Sequence, residues 1–216
     1  MSDEARRIRL IMELRRQGIT DTRVLSAIER VPREIFVPPA FHDQAYENIA
    51  LPIASGQTIS QPLVVAAMTE ALEVGEKMKV LEVGTGSGYQ AAVLAHLCRR
   101  VYTIERHRDL LEAAERCFAK LKLTNIVTKL GDGSKGWPEQ APFDRIIVTA
   151  GARDAPQPLL DQLGVGGIMV IPLASNGRDQ DLYKIRRGAE GYEREAFMPV
   201  RFVPLVTGAP DETRRR

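Results

Sequence analysis

Short apolar runs alternate with helical patterns through the central part of the chain. Runs that indicate buried strands lie at residues 79–83, 100–105, 126–130, 145–149 and 168–173, and helical patterns lie near residues 89–98, 108–121 and 157–163. Strands that alternate with helices at this spacing predict a parallel sheet with helices on both faces. Nearer the C-terminus the pattern changes to alternation at Leu182, Lys184 and Arg186, followed by Phe197 and Phe202, which predicts an antiparallel edge to the sheet.

The N-terminal part has a different pattern. Residues 3–17 carry apolar side chains at helical spacing, and a second helix is predicted from a capping Asp21 to about Arg30. Residues 31–61 hold several prolines and show no period long enough for a core element, which is typical of a binding loop or lid. A helical pattern resumes at Pro62 and leads to the first strand. We therefore predict two N-terminal helices, an irregular segment and one α/β core.

Composition narrows the class of protein. A chain of 216 residues favours a single α/β domain with an N-terminal extension. The formal net charge is +2, so no general attraction to nucleic acid is predicted. The first residues are charged and the apolar runs are too short to cross a bilayer, so we expect a cytoplasmic protein without a membrane segment. Cys98 and Cys117 lack the spacing of a metal site or redox pair, and no metal site is predicted.

The first predicted strand ends in a glycine-rich turn. The segment LEVGTGSGYQ, residues 81–90, places Gly84, Gly86 and Gly88 between a strand and a helix. Glycines in such a turn let the backbone approach a ligand closely. A dinucleotide fingerprint requires a further glycine where this chain has Tyr89, so the spacing favours a smaller nucleoside ligand.

Three acidic residues lie where a nucleoside site at the top of the sheet needs them. Glu105 ends the second strand, 21 residues after Gly84, where a carboxylate can accept hydrogen bonds from both ribose hydroxyls. Asp132 follows the third strand and can accept a hydrogen bond from an adenine amino group. Glu82 lies inside the first strand, where a buried acid needs a partner such as an ammonium group.

These motifs resemble those of protein-L-isoaspartate O-methyltransferases in order and spacing. The strings that carry the resemblance are LEVGTGSGYQAAVLA, VYTIERH, GDGSKGW, FDRIIVTAGA, GGIMVIPL and RFVPLVTG. The resemblance covers residues 5–208 and implies a doubly wound, mostly parallel, Rossmann-like methyltransferase sheet. It implies that S-adenosyl-L-methionine is the cofactor and S-adenosyl-L-homocysteine the product. It also implies methyl transfer to the free carboxylate of L-isoaspartyl residues in damaged proteins and peptides, which is a protein repair reaction.

The resemblance further implies which residues form the site. Ser60, in the string TISQP, corresponds to the family's active-site serine, and residues 36–59 and 203–205 are expected to form the groove for the peptide. The residues expected to contact the cofactor are Thr58, Ile59, Ser60, Gln61, Glu82, Gly84, Thr85, Gly86, Ser87, Gly88, Glu105, Arg106, Asp132 and Gly133. The expected division of the chain is N-terminal helices with a substrate or lid segment at 1–61, the S-adenosylmethionine-binding core at 62–208, and a flexible basic tail at 209–216.

The implied reaction needs few catalytic groups. An acceptor carboxylate is ionised at neutral pH, so it needs no general base to attack a sulfonium methyl group. We expect Ser60 to donate a hydrogen bond that orients this carboxylate, and we expect no catalytic role for His42, His96 or His107. From spacing alone, Ser60 or Gln61 is expected to cap the helix that starts at Pro62. A residue at the cap can also face an anion, so capping and orientation of the carboxylate can hold together.

Two other functions remain open from the sequence. The arginine-rich N-terminal helix suits an RNA methyltransferase, but such enzymes usually carry Asn or Asp and two prolines after the fourth strand, where this chain has residues 149–152, Thr-Ala-Gly-Ala. A cofactor-binding module without catalysis is the other alternative. The fold alone supports all three functions. A monomer is the default expectation.

One turn-like segment predicts damage to the protein itself. Asn176-Gly177 follows the fifth strand, and the glycine leaves the backbone there unhindered. The resemblance implies repair of products that arise at such pairs. We therefore predict slow self-methylation near residue 176 in aged protein.

Overall fold

A computed structural model of the chain describes residues 2–175 and 179–208. The pair Asn176-Gly177 and the C-terminal residues 209–216 lie outside the described residues. Self-methylation near residue 176 and the flexible basic tail therefore stay predictions.

Two helices form the start of the N-terminal part. Helix α1 spans Asp3–Arg16 and begins at Ser2, whose hydroxyl accepts a hydrogen bond from a first-turn amide. Helix α2 spans Thr22–Arg30 and begins at Asp21, whose carboxylate does the same. Both predicted helices are confirmed, together with the cap at Asp21.

The segment that follows contains only short elements, as its lack of a period predicted. It has 3-10 helices at Arg33–Phe36, Pro39–Gln44 and Ala54–Gly56, and an antiparallel pair of strands, β1 (Leu51–Pro52) and β2 (Thr58–Ile59). Strands this short carry no readable alternation, so the sequence did not indicate them. Phe36, Val37 and Ile59 are buried in the main hydrophobic cluster, which packs this segment against the core.

The core is a seven-stranded sheet covered by helices. Its elements are α3 (Pro62–Ala71), β3 (Lys79–Val83), α4 (Tyr89–Ala95), β4 (Arg100–Glu105), α5 (Arg108–Lys120), β5 (Ile126–Leu130), β6 (Phe143–Val148), α6 (Gln157–Gln162), β7 (Leu163–Ala174), β8 (Gln180–Arg187) and β9 (Tyr192–Val200). The strand order is β5-β4-β3-β6-β7-β8-β9. Strands β3 to β7 are parallel, and β8 and β9 are antiparallel. The predicted α/β sheet with an antiparallel C-terminal edge and an N-terminal helical extension is confirmed.

Strand β3 lies where the order of the strands reverses. From β3 the chain passes through β4 to β5 on one side, and it then returns to β6 on the other side of β3. Ligands of open α/β sheets bind at the carboxyl ends of the strands beside such a reversal. The glycine turn follows β3 directly, so the topology places it at this position.

Two strands are longer than the apolar runs that predicted them. Strand β6 begins at Phe143 instead of Arg145, and β7 begins at Leu163 instead of Ile168. Phe143 pairs with Leu163, and the register then shifts before Arg145 pairs with Ile168. Three glycines in the added part of β7 weaken the strand pattern, which explains why the sequence did not indicate it.

Apolar side chains fill both faces of the sheet. Val80 belongs to the cluster that joins helices α1 to α5 to one face, and the next residue, Leu81, belongs to the cluster under helix α6. This alternation follows from the two-residue period of a strand. Among the described residues, no helix has the length and apolar character needed to span a membrane.

The two cysteines are structural, as their spacing indicated. Cys98 is buried and Cys117 is half-buried, and both are free. Burial raises the pKa of the Cys98 thiol to about 12, so this thiol is a poor nucleophile at neutral pH. Within residues 2–175 and 179–208, no group of acidic, histidine or cysteine side chains is arranged to hold a metal ion.

Candidate active site

A cleft lies at the carboxyl ends of β3, β4 and β6. Its walls include the glycine turn, the loop that leads into helix α3, and the C-terminal residues 203–206. The predicted site residues that line it are Thr58, Ile59, Ser60, Gly84, Thr85, Gly86, Ser87, Glu105, Arg106 and Gly133. Gln61, Glu82, Gly88 and Asp132 do not line it, and each is next in sequence to a residue that does. The fold therefore brings the loop of Ser60 and the glycine turn to one site.

Other residues of the cleft were not among the predicted cofactor contacts. They are Gln57, Val65, Met68, Tyr89, Gln90, Ile104, His107, Thr149, Ala150 and Val206. Thr149 and Ala150 follow β6, the strand beside the reversal point, so the topology alone could have indicated them. Val65 and Met68 lie on helix α3, where an apolar side chain in a cleft cannot be told from one in the core.

The glycine turn has backbone conformations that favour glycine. Gly84 has φ 95° and Gly86 has φ 54°. A Cβ on Gly84 would collide with the Thr149 hydroxyl, which donates a hydrogen bond to the Gly84 carbonyl at 2.6 Å. A Cβ on Gly86 would meet only the Ile53 side chain, at 3.8 Å. Gly84 is therefore needed for packing, whereas Gly86 keeps its backbone open to the cleft.

Backbone amides fix the carboxylate of Glu105. One oxygen accepts a hydrogen bond from the Gly86 amide at 2.8 Å, and the other accepts from the amides of Arg106 and His107 at 2.8 and 2.9 Å. The side chain is 5% exposed. Each carboxylate oxygen has two lone pairs, so one acceptor position remains, on the oxygen that accepts from the Gly86 amide. This carboxylate can therefore accept one further hydrogen bond from a ligand.

Glu82 is a buried acid joined to the cleft by a chain of hydroxyls. Its Oε2 accepts a hydrogen bond from the Thr103 hydroxyl at 2.5 Å, and the hydroxyls of Thr103 and Thr85 are 2.6 Å apart. Thr85 lines the cleft. Glu82 is fully buried, and its Oε1 has no partner among the described residues. Burial, opposed by the Thr103 hydrogen bond and assisted by the charge of Glu105, raises the pKa of the Glu82 carboxyl to about 8.

Asp132 ties the C-terminal segment to the sheet. Its Oδ1 accepts hydrogen bonds from the Ser134 amide and hydroxyl at 3.0 and 2.6 Å, and its Oδ2 accepts from the Gly208 amide at 2.8 Å. Burial raises the pKa of this carboxyl, but the hydrogen bonds from Ser134 and Gly208 outweigh that effect and leave the pKa below its usual value. One lone pair of Oδ2 remains for a further donor.

The loop of Ser60 is anchored through its backbone. The Ser60 carbonyl accepts a hydrogen bond from Arg33 Nη2 at 2.8 Å. The Ser60 hydroxyl makes no hydrogen bond to the described residues, so it is available to a ligand. Gln61 is at the cap position of helix α3, but its side chain makes no capping hydrogen bond, and Asn48 Oδ1 accepts from the Leu63 amide at 2.9 Å instead. The predicted cap position at Gln61, with Pro62 in the first turn, is therefore confirmed, but the oxygen that accepts from the helix amide belongs to a distant asparagine and not to Gln61.

The cleft fits an S-adenosylmethionine molecule by two independent observations. The open backbone at Gly86 and the amide-held Glu105 suit a nucleoside. The unpaired oxygen of Glu82 suits a nearby cation. A doubly wound sheet that presents these features beside its reversal point defines a Rossmann-like, S-adenosylmethionine-dependent methyltransferase.

Comparison with known proteins identifies the family. The chain matches the family model for protein-L-isoaspartate(D-aspartate) O-methyltransferase over residues 5–210. It is 64% identical over 210 residues to the protein-L-isoaspartate O-methyltransferase of Paramagnetospirillum magneticum, with 97% of this chain and 98% of the relative covered. It is 60% identical over 216 residues to the enzyme of that name from Rhodospirillum centenum, with 100% and 98% covered.

Two solved structures agree with this match. One is a protein-L-isoaspartate O-methyltransferase with a TM-score of 0.83 and 29% identity, covering 94% of this chain and 67% of that chain. The other, from Plasmodium falciparum, is described as a protein-L-isoaspartate O-methyltransferase in complex with S-adenosyl-L-homocysteine; its TM-score is 0.80, with 25% identity over 92% of this chain and 97% of that one. The chain belongs to the protein-L-isoaspartate(D-aspartate) O-methyltransferase family. The predicted family, methyl-transfer activity on isoaspartyl residues, and cofactor are confirmed.

Proposed function

We propose that the chain methylates the free carboxylate of L-isoaspartyl residues in damaged proteins and peptides, and that Ser60 orients this carboxylate. The observation that carries the proposal is that Ser60, whose hydroxyl makes no hydrogen bond to the described residues, lines the same cleft as the glycine turn and Glu105. A hydroxyl that donates no hydrogen bond within the protein can donate one to a carboxylate ligand. Ser60 thus acts by positioning, and it does not form a covalent bond to the substrate.

The residues that would hold S-adenosyl-L-methionine follow from their places in the cleft. Glu105 would accept a hydrogen bond from the ribose, and the backbone of residues 84–88 would face the methionine part. Asp132 would accept from the adenine amino group through its remaining lone pair, with Gly133 allowing close approach. Glu82 would act through the hydroxyl chain of Thr85 and Thr103. Thr58, Ile59, Gln61 and Arg106 complete the proposed contacts.

The methyl-transfer step needs few catalytic side chains. The bound cofactor supplies a methyl group on a sulfonium ion, whose sulfur keeps the electron pair of the broken bond while an acceptor oxygen forms the new one. The acceptor is already ionised, so the protein needs no general base. Both charges disappear in the reaction, so exclusion of water favours it. Val65, Met68 and Leu205 supply apolar surface to the cleft for that purpose.

The peptide groove is proposed from the same walls. Val203, Pro204 and Leu205 line the cleft together with the loop at residues 57–60. Residues 36–59 and 203–205 would therefore read the peptide backbone, whose path is one methylene longer at an isoaspartyl residue. In this proposal residues 1–61 cover the core formed by residues 62–208 and contribute the substrate-binding loop.

The setting of the enzyme is also a proposal. A net charge of +2 supports protein substrates over nucleic acid. Two free cysteines support a reducing compartment such as the cytoplasm. We propose a monomer as the default state.

Ser60→Ala tests the proposed role. We expect kcat on an isoaspartyl peptide to fall about 100-fold, since misplaced reactants lose about that factor, while the calorimetric Kd of S-adenosyl-L-homocysteine changes little. Ser87→Ala is the matched control, because that hydroxyl lines the cleft at the glycine turn and should affect cofactor binding first. Equal loss of kcat and cofactor affinity in Ser60→Ala would refute the role.

Paired substrates test the function itself. Labelled S-adenosyl-L-methionine is offered with peptides that differ only in an isoaspartyl or aspartyl linkage, and with RNA. We expect transfer to the isoaspartyl peptide alone. Transfer to RNA would favour the nucleic-acid alternative, and no transfer to any substrate would favour a module that binds the cofactor without catalysis.

A further inference from the structure

Arg33 is a buried cation behind the wall of the cleft. Its side chain is 0% exposed. Nη2 donates to the Ser60 carbonyl at 2.8 Å, and the guanidinium lies over the Tyr89 ring, 4.8 Å from its centroid. Ser60 and Tyr89 both line the cleft, whereas Arg33 does not. Its charge therefore sits one layer behind the loop that holds the acceptor.

This cation lacks a counter-ion within the described residues. Arg33 forms no ion pair there, and its Nε and Nη1 are buried without hydrogen-bond partners. The neighbouring acid, Glu34, accepts a hydrogen bond from the Tyr46 hydroxyl instead. A guanidinium stays protonated even when burial opposes it, and an unpaired buried charge is strongly unfavourable. The cation–π contact with Tyr89 offsets only part of that free energy.

We infer that Arg33 is a positioning residue whose uncompensated charge draws the ionised isoaspartyl carboxylate to Ser60, so that the substrate acts as its counter-ion. This inference rests on the proposed function. The guanidinium would act through space and through the Ser60 backbone, because Ser60 and Tyr89 stand between it and the cleft. Low polarisability around a buried charge makes such an effect stronger than it would be at a surface.

The charge should act on binding and not on the chemical step. It stabilises the acceptor while the acceptor is an anion, and it gains nothing from the neutral methyl ester that forms. An interaction stronger in the ground state than in the transition state lowers KM and gives no gain in kcat. Arg33 therefore concentrates the ionised substrate and releases the ester, and its removal should raise KM and should not lower kcat.

The experiment compares a charged and a neutral peptide. Two short synthetic peptides differ only in isoaspartate or isoasparagine, and calorimetry measures their Kd for enzyme saturated with S-adenosyl-L-homocysteine. We expect wild-type enzyme to prefer the isoaspartyl peptide at least tenfold, which corresponds to about 1.4 kcal/mol. Arg33→Met should abolish most of this preference and raise KM about tenfold, and Arg33→Lys should keep it. The Kd of S-adenosyl-L-homocysteine should change less than twofold in both variants.

Several results would overturn the inference. If the role of Arg33 is purely structural, Arg33→Lys and Arg33→Met should both weaken binding of the two peptides to the same extent. If Arg33 instead stabilises the carboxylate of the cofactor, its substitution should raise the Kd of S-adenosyl-L-homocysteine as much as that of the peptide. If Arg33→Met does not fold, the wild-type enzyme alone still tests the inference. Equal affinity of wild-type enzyme for the two peptides would exclude an effect of charge. Failure of the proposed function would look different, because neither peptide would then bind.

Discussion

Replacing Glu82 with glutamine should change how the stability of the protein depends on pH. Glu82 is fully buried beside the glycine turn, and its carboxyl pKa is raised from 4.5 to about 8. Glutamine has nearly the same shape and can still accept the Thr103 hydrogen bond, but it does not titrate in this range. The substitution therefore removes one titrating group and leaves the packing in place.

The sign follows from the number of protons bound. Between pH 4.5 and about 8 the folded protein keeps a proton on Glu82 that the unfolded chain has lost. The free energy of unfolding then falls as pH rises, by up to about 1.4 kcal/mol per pH unit from this group. Over the whole interval the loss is about 5 kcal/mol, and above about pH 8 no further loss follows because both states are ionised. Glu82→Gln should lack this contribution.

Urea unfolding of both proteins without ligand, at pH 5 to 9, measures the difference. We expect the variant to gain stability relative to wild type by about 1 kcal/mol per pH unit between pH 5.5 and 7.5, and the difference to level off above pH 8. Other titrating groups are common to both proteins and cancel in the difference. A difference that stays constant across this pH range would show that Glu82 titrates normally and would refute the argument.

Two further predictions concern the sheet edge and the cofactor wall. Hydrogen bonds from the Arg186 guanidinium hold the pKa of Glu73 down at about 2, so Glu73→Gln should destabilise the protein above pH 4.5 and not near pH 2. Because 46% of the Glu73 side chain is exposed, we expect less than about 1 kcal/mol in urea unfolding, and a loss that persists at pH 2 would contradict an electrostatic cause. A Cβ on Gly133 would collide with Val83 Cγ1, so Gly133→Ala should cost about 1–3 kcal/mol and weaken binding of S-adenosyl-L-homocysteine. Gly191→Ala, where a Cβ meets nothing within 4 Å, is the control, and equal effects of the two substitutions would contradict the steric argument.

The sequence predicted the sheet because its parallel strands form short apolar runs. Strands β3, β4 and β5 coincide with the runs at residues 79–83, 100–105 and 126–130. Strand β3 is buried over most of its length and has no polar alternation to blur its limits, whereas β5, at the edge, is half-buried. The sequence did not predict the two-residue strands β1 and β2 or the glycine-rich start of β7. Their pairing is decided by neighbours that are distant in sequence.

The sequence predicted those site residues whose role follows from the residue type alone, namely glycines with unusual backbone conformations and acids with a charge. Glycines at the turn and Glu105 at the end of β4 could be placed from spacing and topology, and the structure brings them together. Arg33 and Asn48 could not be found in this way. Each acts on the loop of Ser60 from a segment without periodicity, through a hydrogen bond to the backbone. Such contacts depend on the folded path of the chain, which local patterns do not encode.

Two of the buried ionisable groups near the cleft, Glu82 and Arg33, differ in how they tolerate an absent ligand. Glu82 can take up a proton and become neutral at neutral pH, so the protein avoids the free-energy cost of a buried charge until a cation approaches. Arg33 has no such relief, because a guanidinium does not give up its proton under these conditions. The fold therefore carries a standing positive charge behind Ser60, whereas Glu82 adds only a latent negative charge beside the glycine turn, next to the amide-held carboxylate of Glu105. On this reasoning the empty protein favours anions at the acceptor end of the cleft, and binding of a cation must ionise Glu82 before the other end is complementary. Methyl transfer would then remove one charge from each end, and the interactions that favoured binding would weaken in the products.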